Sequence, residues 1–243
     1  WVWTLNGYDG VGRVVKTIQN ASTPNYNTAS DPDLSDYVAN ANVDEDLISQ
    51  TIYDIQGRVY KTVDTMSSVT LYGFDSSGRR VKTIQNASSP NYDVTVDPDL
   101  SDYGTSSDAD KDLITETTYD VAGRVVKAKD VQGQITFYGY DRAGRCVKTV
   151  QNASNMAYDI FANPTLTTYT VVGGATSDQD VTTTLVYDKA GRTVQSKTTW
   201  NGDATGKTEF TVYDRDGRVT KTIQNYIAQA TTPDQWTWRA VNN

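Results

Sequence analysis

Short runs of β-favouring residues alternate with polar corners along the chain. Residues 115–119 and 124–127, on either side of one corner, are dominated by Thr, Val and Tyr, which favour strands. The corner between them reads aromatic-Asp-x-x-Gly-Arg. Its Asp can accept hydrogen bonds from the backbone ahead of it, and its Gly can take the positive φ that closes a bulged hairpin. This pattern predicts one β-hairpin at each corner.

The corner occurs seven times, so the tandem repeat is the first feature from which we predict the fold. Its aromatic, Asp and Gly positions are Tyr8, Asp9 and Gly12; Tyr53, Asp54 and Gly57; Phe74, Asp75 and Gly78; Tyr119, Asp120 and Gly123; Tyr140, Asp141 and Gly144; Tyr187, Asp188 and Gly191; and Tyr213, Asp214 and Gly217. A lone hairpin is barely stable in water. We therefore predict an all-β fold, in which tandem antiparallel hairpins stack into one extended, curved or twisted sheet across residues 1–243.

The spacing of the corners defines a double unit of 66 residues, made of one plain hairpin and one that carries an insert. The inserts span about residues 21–48, 87–114 and 153–182. In the first insert, Asp31 before Pro32 predicts a tight turn or a one-turn helix. Leu34 and Tyr37 lie three residues apart, so we expect them to face one way and pin the insert onto the sheet.

The recurring Tyr-Asp-x-x-Gly-Arg-Val-x-Lys resembles the YD repeats of Rhs proteins, teneurins and the cocoon subunits of insecticidal toxin complexes. The resemblance covers roughly residues 5–225. It implies a long sheet that spirals into a hollow shell, in a large protein that is secreted or exposed at the cell surface. The chain begins at Trp1 rather than Met, as expected of a processed product or a segment of a longer protein.

Composition and charge reduce the number of functions that the sequence supports. The net charge of −8 argues against a nucleic-acid partner, and no apolar run is long enough for membrane insertion. The sequence has no His and no phosphate-binding loop, so we predict a non-enzymatic protein without a cofactor. The seven Arg residues that follow the corner glycines are equivalent, which predicts a structural ladder packed on neighbouring Tyr rather than a site. The apolar share of 37% favours a thin sheet with two solvent-exposed faces.

Charge is divided between the inserts and the rest of the chain. The inserts hold 16 of the 30 acidic residues and one of the 22 basic residues. Either the inserts form a solvated acidic fringe, or the acidic inserts of one molecule meet the basic strands of another. Cys146, the only cysteine, lies where Val follows Arg in most other copies, which indicates a strand residue.

Three sets of residues are candidate sites. Asn20, Asn86 and Asn152 each open an Asn-Ala-Ser sequon, although the triplet can also recur simply because the whole unit recurs. Trp1, Trp3, Trp236 and Trp238 place paired rings near both ends, where they either mediate assembly or close the local core. Asp108, Asp110 and Asp112 form a weak Ca²⁺ candidate, against the alternative of solvated loop charge.

These observations predict a non-enzymatic structural protein, extracellular or at the cell surface, that self-associates into a homopolymer such as a fibre, tube or surface layer. It can also carry covalent glycans. The first alternative is a segment of an Rhs-like shell that encloses a toxin. The second is a surface adhesin or glycan-binding module.

Overall fold

A computed structural model describes residues 2–42, 44–172, 178–200 and 206–224. These residues form antiparallel strands and no helix, and the strands follow chain order within the sheet. The strands are β1 (Thr4–Tyr8), β2 (Val14–Gln19), β3 (Leu47–Tyr53), β4 (Val59–Val63), β5 (Val69–Phe74), β6 (Arg80–Gln85), β7 (Leu113–Tyr119), β8 (Val125–Lys129), β9 (Ile135–Tyr140), β10 (Cys146–Gln151), β11 (Val181–Tyr187), β12 (Thr193–Thr199), β13 (Lys207–Tyr213) and β14 (Val219–Ile223). The prediction of an all-β fold of tandem antiparallel hairpins is confirmed.

Each corner closes by the same short-range hydrogen bonds. At the first corner, Asp9 N–H donates to the Arg13 carbonyl at 2.9 Å, and Gly12 N–H donates to the Asp9 carbonyl at 3.0 Å. Gly12 has a φ of 84°, which a side chain would disfavour. The Asp9 carboxylate accepts from the N–H groups of Val11 and Arg13 at 3.0 and 2.9 Å. The same pair of backbone bonds closes the other six corners, so the corner reading of the sequence is confirmed.

Two further turns of this type were missed in the sequence. They join β4 to β5 and β8 to β9, and in each the Asp N–H bonds the carbonyl four residues ahead, from Asp64 to Ser68 and from Asp130 to Gln134. Positive φ is taken by Ser67 and Gly133. Because neither turn has an aromatic before its Asp or an Arg after its fourth residue, the repeat motif did not detect it.

The chain divides into two compact units, Trp1–Glu116 and Thr117–Asn243. The first unit holds β1 to β6 and most of β7, with two inserts. The second holds the end of β7 and β8 to β14, with the third insert.

The inserts are loops of successive turns that pack on the hairpins from which they emerge. In the first unit, Leu34 is fully buried and Tyr37 is 6% exposed, in a cluster with Ile18 and Ala21. The expected pinning by Leu34 and Tyr37 is confirmed, with turns rather than a helix. Each of the three insert-bearing hairpins therefore has a buried cluster. This corrects the expectation of two solvent-exposed faces, because a low overall apolar content did not reveal how the few apolar residues are concentrated.

Nowhere in the described residues is there a helix with the length and hydrophobicity that a membrane crossing requires.

Candidate functional site

The corners are held together by paired charges. Arg13 Nε donates to Asp9 Oδ2 at 2.7 Å, and six of the seven corners carry such an ion pair at 2.6 to 2.7 Å. The pKa of Asp9 is lowered from its ordinary value, chiefly by the hydrogen bond from the Arg13 N–H and against a smaller effect of burial. The seventh corner differs, because Arg218 pairs instead with Asp216 at 3.5 Å.

Corner guanidinium groups also cover aromatic rings of the following corners. Five such contacts place the guanidinium carbon 4.2 to 4.7 Å from the ring centre: Arg13 on Tyr53, Arg58 on Phe74, Arg124 on Tyr140, Arg145 on Tyr187 and Arg192 on Tyr213. This is the geometry of a cation–π interaction. Within each unit, one Arg thus joins the carboxylate of its own corner to the ring of the next, and the predicted ladder of Arg on neighbouring rings is confirmed.

The stacked tyrosines add a hydrogen bond at the same junction. Tyr53 donates its hydroxyl to the Val14 carbonyl at 3.2 Å, and Tyr187 donates to the Cys146 carbonyl at 2.7 Å. Tyr140 and Tyr213 make the equivalent bond. The acceptor is always the residue that follows the stacking Arg, so ring position and strand register are fixed together.

A glycine before the aromatic makes room for the insert. Tyr8 N–H donates to the Pro32 carbonyl at 2.6 Å, and a Cβ placed on Gly7 would lie 2.4 Å from the Asp33 carbonyl oxygen. Gly73 and Gly139 are crowded in the same way by the other two inserts, with a Cβ at 2.5 and 2.8 Å from the nearest insert atom. Sequence reasoning missed these residues, although a signal was present. Gly precedes the aromatic only in the three hairpins that carry an insert, whereas the other hairpins have Ile52, Thr118, Val186 and Val212 there.

The buried insert leucine takes an unusual backbone conformation. Leu34 has a φ of 59°, a left-handed conformation that costs a non-glycine residue about 1 kcal/mol or more. Its side chain is fully buried, and its carbonyl accepts a hydrogen bond from Lys16 Nζ at 2.7 Å. Leu100 with Lys82 and Leu166 with Lys148 repeat both features. Burial of the leucine and the lysine bond together offset the backbone strain.

The sequon residues close the inserts. Asn20 has a φ of 53°, and its amide nitrogen donates to the Asp44 carbonyl at 2.5 Å. Asp46 N–H donates back to the Asn20 carbonyl at 3.1 Å. Asn86 and Asn152 repeat this arrangement with the carbonyls of Asp110 and Asp178. The Asn therefore has a structural role that explains its recurrence, and its glycosylation stays a prediction.

A buried aspartate, Asp46, closes the first insert by accepting hydrogen bonds from several of its residues, an arrangement called a lock below. Asp46, 7% exposed, accepts from Ser22 N–H and Oγ–H at 2.8 and 2.7 Å, from the Tyr37 hydroxyl at 2.5 Å and from Asn40 N–H at 2.6 Å. Burial alone raises the pKa of Asp46, but these hydrogen bonds, led by that from Tyr37, outweigh it and lower the pKa to about 2. The carboxylate is therefore fully occupied within the insert.

The second insert has the same lock, which settles how its acidic side chains are arranged. Asp112 accepts from Ser88, Tyr103 and Ser106, at 2.6 to 2.8 Å. Asp108 accepts from Asp110 N–H at 3.0 Å. The structure does not bring the three aspartates of the Ca²⁺ candidate together, and the described ranges contain no group of three potential ligands that could hold a metal.

The third lock is incomplete. Asp180, 1% exposed, accepts from the Tyr169 hydroxyl and from Ser154 N–H through Oδ1. Its Oδ2 is buried without a hydrogen-bond partner among the described residues. Val172 N–H, the counterpart of the group that reaches the aspartate in the first insert, donates instead to Ser154 Oγ at 3.0 Å.

Of the four tryptophans predicted to mediate assembly, only Trp3 lies within the described residues. It immediately precedes β1, and 51% of its surface is exposed. Trp1, Trp236 and Trp238 lie outside the described residues.

The first unit also contains a cleft of about 310 Å³, between the second corner and the second insert. Its walls include the aromatic rings of Tyr53, Tyr60, Tyr72 and Phe74, with Thr95 at the insert side. This size is at the lower end for small-molecule sites.

The fold and its junctions define the chain as a tandem β-hairpin repeat protein, in which an acid–arginine corner of one repeat stacks on the aromatic ring of the next. Residues 108–155 match the family model described as RHS Repeat. This match covers the fourth and fifth of the seven corners, as the motif implied, and the other corners repeat the same YD pattern.

Comparison with solved structures gives low-identity likenesses. The crystal structure of TcdB2-TccC3-TEV shares 16% identity over 98% of this chain and 11% of that chain, with a TM-score of 0.43. The Photorhabdus luminescens Tc holotoxin pore with a TccC3 mutation shares 15% identity over 88% of this chain and 10% of that chain, with a TM-score of 0.38. This chain thus spans about a tenth of their length, and likenesses this weak assign it no activity or partner. No curated protein matches the chain.

Proposed function

We propose that the chain is an architectural, non-enzymatic array that forms part of the wall of an Rhs-like shell. The observation that carries this proposal is the repeated junction. Six corner aspartates each form an ion pair with an arginine of the same corner. Five of these arginines are also stacked on an aromatic ring. Charged groups used in this way act as connections between repeats, and the Rhs match supports a wall built from them.

The proposed location is extracellular or at the cell surface, as for the Rhs-like proteins that the motif resembles. The test is electron microscopy of native material, read together with intact mass. A hollow particle whose subunit is far heavier than 26.8 kDa would support the shell wall. A native subunit of this mass that remains a dispersed monomer would overturn it.

Self-association of the chain into a fibre, tube or layer is a second candidate, favoured by the exposed Trp3 ring. It predicts polymers of units near 26.8 kDa that are lost when Trp1, Trp3, Trp236 and Trp238 are replaced by Ser. A single monomer boundary in sedimentation of the unmutated chain would contradict it.

A glycan-binding role is a third candidate, and the aromatic cleft beside the second corner supports it. We expect Tyr60→Ala with Tyr72→Ala to remove binding on a glycan array, with Tyr138→Ala in the second unit as the control. An array on which the unmutated chain binds nothing would contradict this role.

A further inference from the structure

The aromatic cleft of the first unit includes the only corner ring that is a phenylalanine. Four corner tyrosines donate their hydroxyl to the carbonyl of the residue that follows the stacking arginine. At the third corner that arginine is Arg58 and the ring is Phe74, which has no hydroxyl, so the Val59 carbonyl receives no such bond. Phe74, Arg58 and Tyr60 all line the cleft. The phenylalanine therefore leaves a backbone acceptor and the space of one hydroxyl group beside the cleft.

The equivalent junction of the second unit keeps its hydroxyl. Tyr140 occupies the position of Phe74, 66 residues further along the chain, and donates to the Val125 carbonyl at 2.8 Å. Val126, which is 2% exposed, occupies the position of Tyr60. Tyr60 and Phe74 are therefore two wall residues that distinguish the cleft from its counterpart in the second unit.

The walls of the cleft also carry tyrosine hydroxyls that the fold does not use. Tyr60 and Tyr72 line the cleft, and neither hydroxyl makes a hydrogen bond within the part of the chain that the structure describes. A tyrosine hydroxyl can donate one hydrogen bond and accept others. With the Val59 carbonyl, these groups place polar atoms around flat apolar rings, an arrangement typical of small-molecule sites.

The charges at the cleft are already paired. Asp54 and Arg58 are its charged wall residues, and they form an ion pair at 2.6 Å. The guanidinium groups of Arg13 and Arg58 cover the rings of Tyr53 and Phe74, at 4.2 and 4.4 Å from the ring centres. A cationic ligand would meet rings that already hold a cation, and an anionic ligand would meet a guanidinium that already holds a carboxylate. An uncharged ligand therefore fits the cleft best.

We propose that the cleft binds a single pyranose ring of an uncharged sugar. This inference rests on the glycan-binding role proposed above, and it specifies the ligand class and the residue that opens the site. A pyranose presents an apolar C–H face to the tyrosine rings and hydroxyl groups to their polar ends. One ligand hydroxyl donates to the Val59 carbonyl, in place of the hydroxyl that Phe74 lacks. The volume of about 310 Å³, at the lower end for small-molecule sites, suits one ring rather than a chain of sugars.

Phe74→Tyr tests the site by restoring the hydroxyl that the other six corners carry. The new hydroxyl should donate to the Val59 carbonyl and occupy the ligand's place, so methyl glucopyranoside and methyl galactopyranoside should bind at least about tenfold more weakly. Nuclear magnetic resonance of the Tyr60 and Tyr72 rings measures this, with saturable shifts expected for the unmutated chain. Circular dichroism checks that the variant folds. If it does not, Tyr60→Phe, which removes only a hydroxyl, takes its place and should also weaken binding.

The matched control makes the reverse change in the second unit. Tyr140→Phe removes the hydroxyl from the equivalent junction, outside the cleft, and should leave the sugar titration at Tyr60 and Tyr72 unchanged. The ligand class has its own comparison, because methyl glucosaminide is cationic and methyl glucuronide is anionic. Each should bind at least about threefold more weakly than the uncharged glucoside. Tighter binding of either charged sugar would overturn the uncharged class.

The outcomes separate this inference from the proposed functions. A chain that binds glycans on an array but shows no saturable shifts at Tyr60 and Tyr72, or that binds equally well as Phe74→Tyr, overturns this site and leaves the glycan-binding role intact. An array on which the unmutated chain binds nothing overturns both. The shell-wall role depends on the native particle and its subunit mass, so it stands or falls independently of every sugar titration.

Discussion

The first two inserts and the third dock through the same backbone contacts but fill the space beneath them differently. In the first unit, Tyr26 donates its hydroxyl to Asp31 at 2.5 Å, and Tyr92 donates to Asp97 at 2.7 Å. The third insert has Asn163 at this position, and its Tyr158 hydroxyl pairs with Thr168 at 3.0 Å. The tyrosine–aspartate hydrogen bond of the first two inserts is thus replaced in the third insert by a hydrogen bond between two neutral side chains.

Aromatic packing changes in the opposite direction. Tyr26 and Tyr37 form a ring pair 5.0 Å apart in the first insert. In the third, Phe137, Tyr158 and Tyr169 form a triangle with centre separations of 5.2 to 6.1 Å. The fully buried Phe137 belongs to the sheet, so the insert lies on a larger apolar surface.

The comparison shows which parts of the insert are interchangeable. The glycine, the left-handed leucine and the lysine that binds its carbonyl occur in all three inserts. The hydrogen-bonded acids vary, because burial of aromatic surface can replace a charged network of similar volume. The predictions below separate the common elements from the variable ones.

Replacing the buried insert leucines should cause the largest loss of stability, and a similar loss in both units. Leu100→Ala and Leu166→Ala each remove a fully buried side chain and should lower the free energy of unfolding of their unit by about 2 to 5 kcal/mol. Urea unfolding followed by hydrogen exchange of each segment measures this. A large loss in only one unit would show that the leucine is not a common anchor.

Replacing the glycines before the corner aromatics should cause the next largest loss of stability. Gly73→Ala would place a Cβ 2.5 Å from the Asp99 carbonyl oxygen, so the insert must shift, at a cost of about 1 to 3 kcal/mol. Gly139→Ala should behave alike in the second unit. Val212→Ala, at the same position of a hairpin with no such insert contact, should cost under about 1 kcal/mol. Urea denaturation compares the three, and an equal loss in all of them would contradict the role of the insert.

Replacing the aspartate that closes an insert should lower stability more in the first unit than in the second. Asp46→Asn would place an amide N–H against the donors Ser22 and Asn40, so we expect a loss of about 2 kcal/mol. Asp180→Asn keeps the acceptor Oδ1 and replaces an oxygen without a described partner, so it should change stability by less than about 1 kcal/mol. Equal losses in urea unfolding would show that the third lock is as complete as the first.

Acid should act on the charged networks of the first unit. The hydrogen bond from Tyr26 is the largest cause that lowers the pKa of Asp31 to about 2. Because this lies below the unfolded value of about 4, the stability it gives is present above pH 4 and is lost as the pH falls towards 2. The same bond raises the pKa of Tyr26 to about 12, so stability is also lost as the pH rises from about 10 to 12.

Nuclear magnetic resonance of the insert tyrosines measures these transitions. Asp31→Asn should remove the acid transition from the Tyr26 signals, while Asp97 maintains it at Tyr92 in the same molecule. The transition at Tyr92 is the internal control. Burial alone would raise the pKa of Asp97, but hydrogen bonds led by that from Tyr92 outweigh it and lower the pKa to about 2. An unchanged transition at Tyr26 would contradict this assignment.

The corners could be predicted from the sequence because their stabilising contacts are local. Asp9 meets the N–H and side chain of Arg13 four residues away, and Gly12 supplies the one positive φ that the turn requires. The motif therefore carries all the information needed for the turn. Repetition of the corners then implied stacked hairpins, since none could bury its apolar residues alone.

The insert contacts could be read only in part. Leu34 and Tyr37 were identified as anchors by their spacing, but the left-handed φ of Leu34 depends on the Lys16 bond and on complete burial. Sequons suggested a modification site, whereas the structure gives Asn20 a turn that Asp44 closes from 24 residues away. Such contacts join segments whose approach the local pattern does not encode.

The sequence by itself determined the strands, the corners and their stacking order, because each depends on residues within one hairpin and on tandem repetition. Only the tertiary structure decided that the inserts pack on three hairpins, that a glycine is required under each, and that a hydrogen-bonded aspartate closes each insert. These features depend on distances between backbone atoms far apart in the chain, such as the Gly7 to Asp33 approach, where space rather than local preference selects the residue.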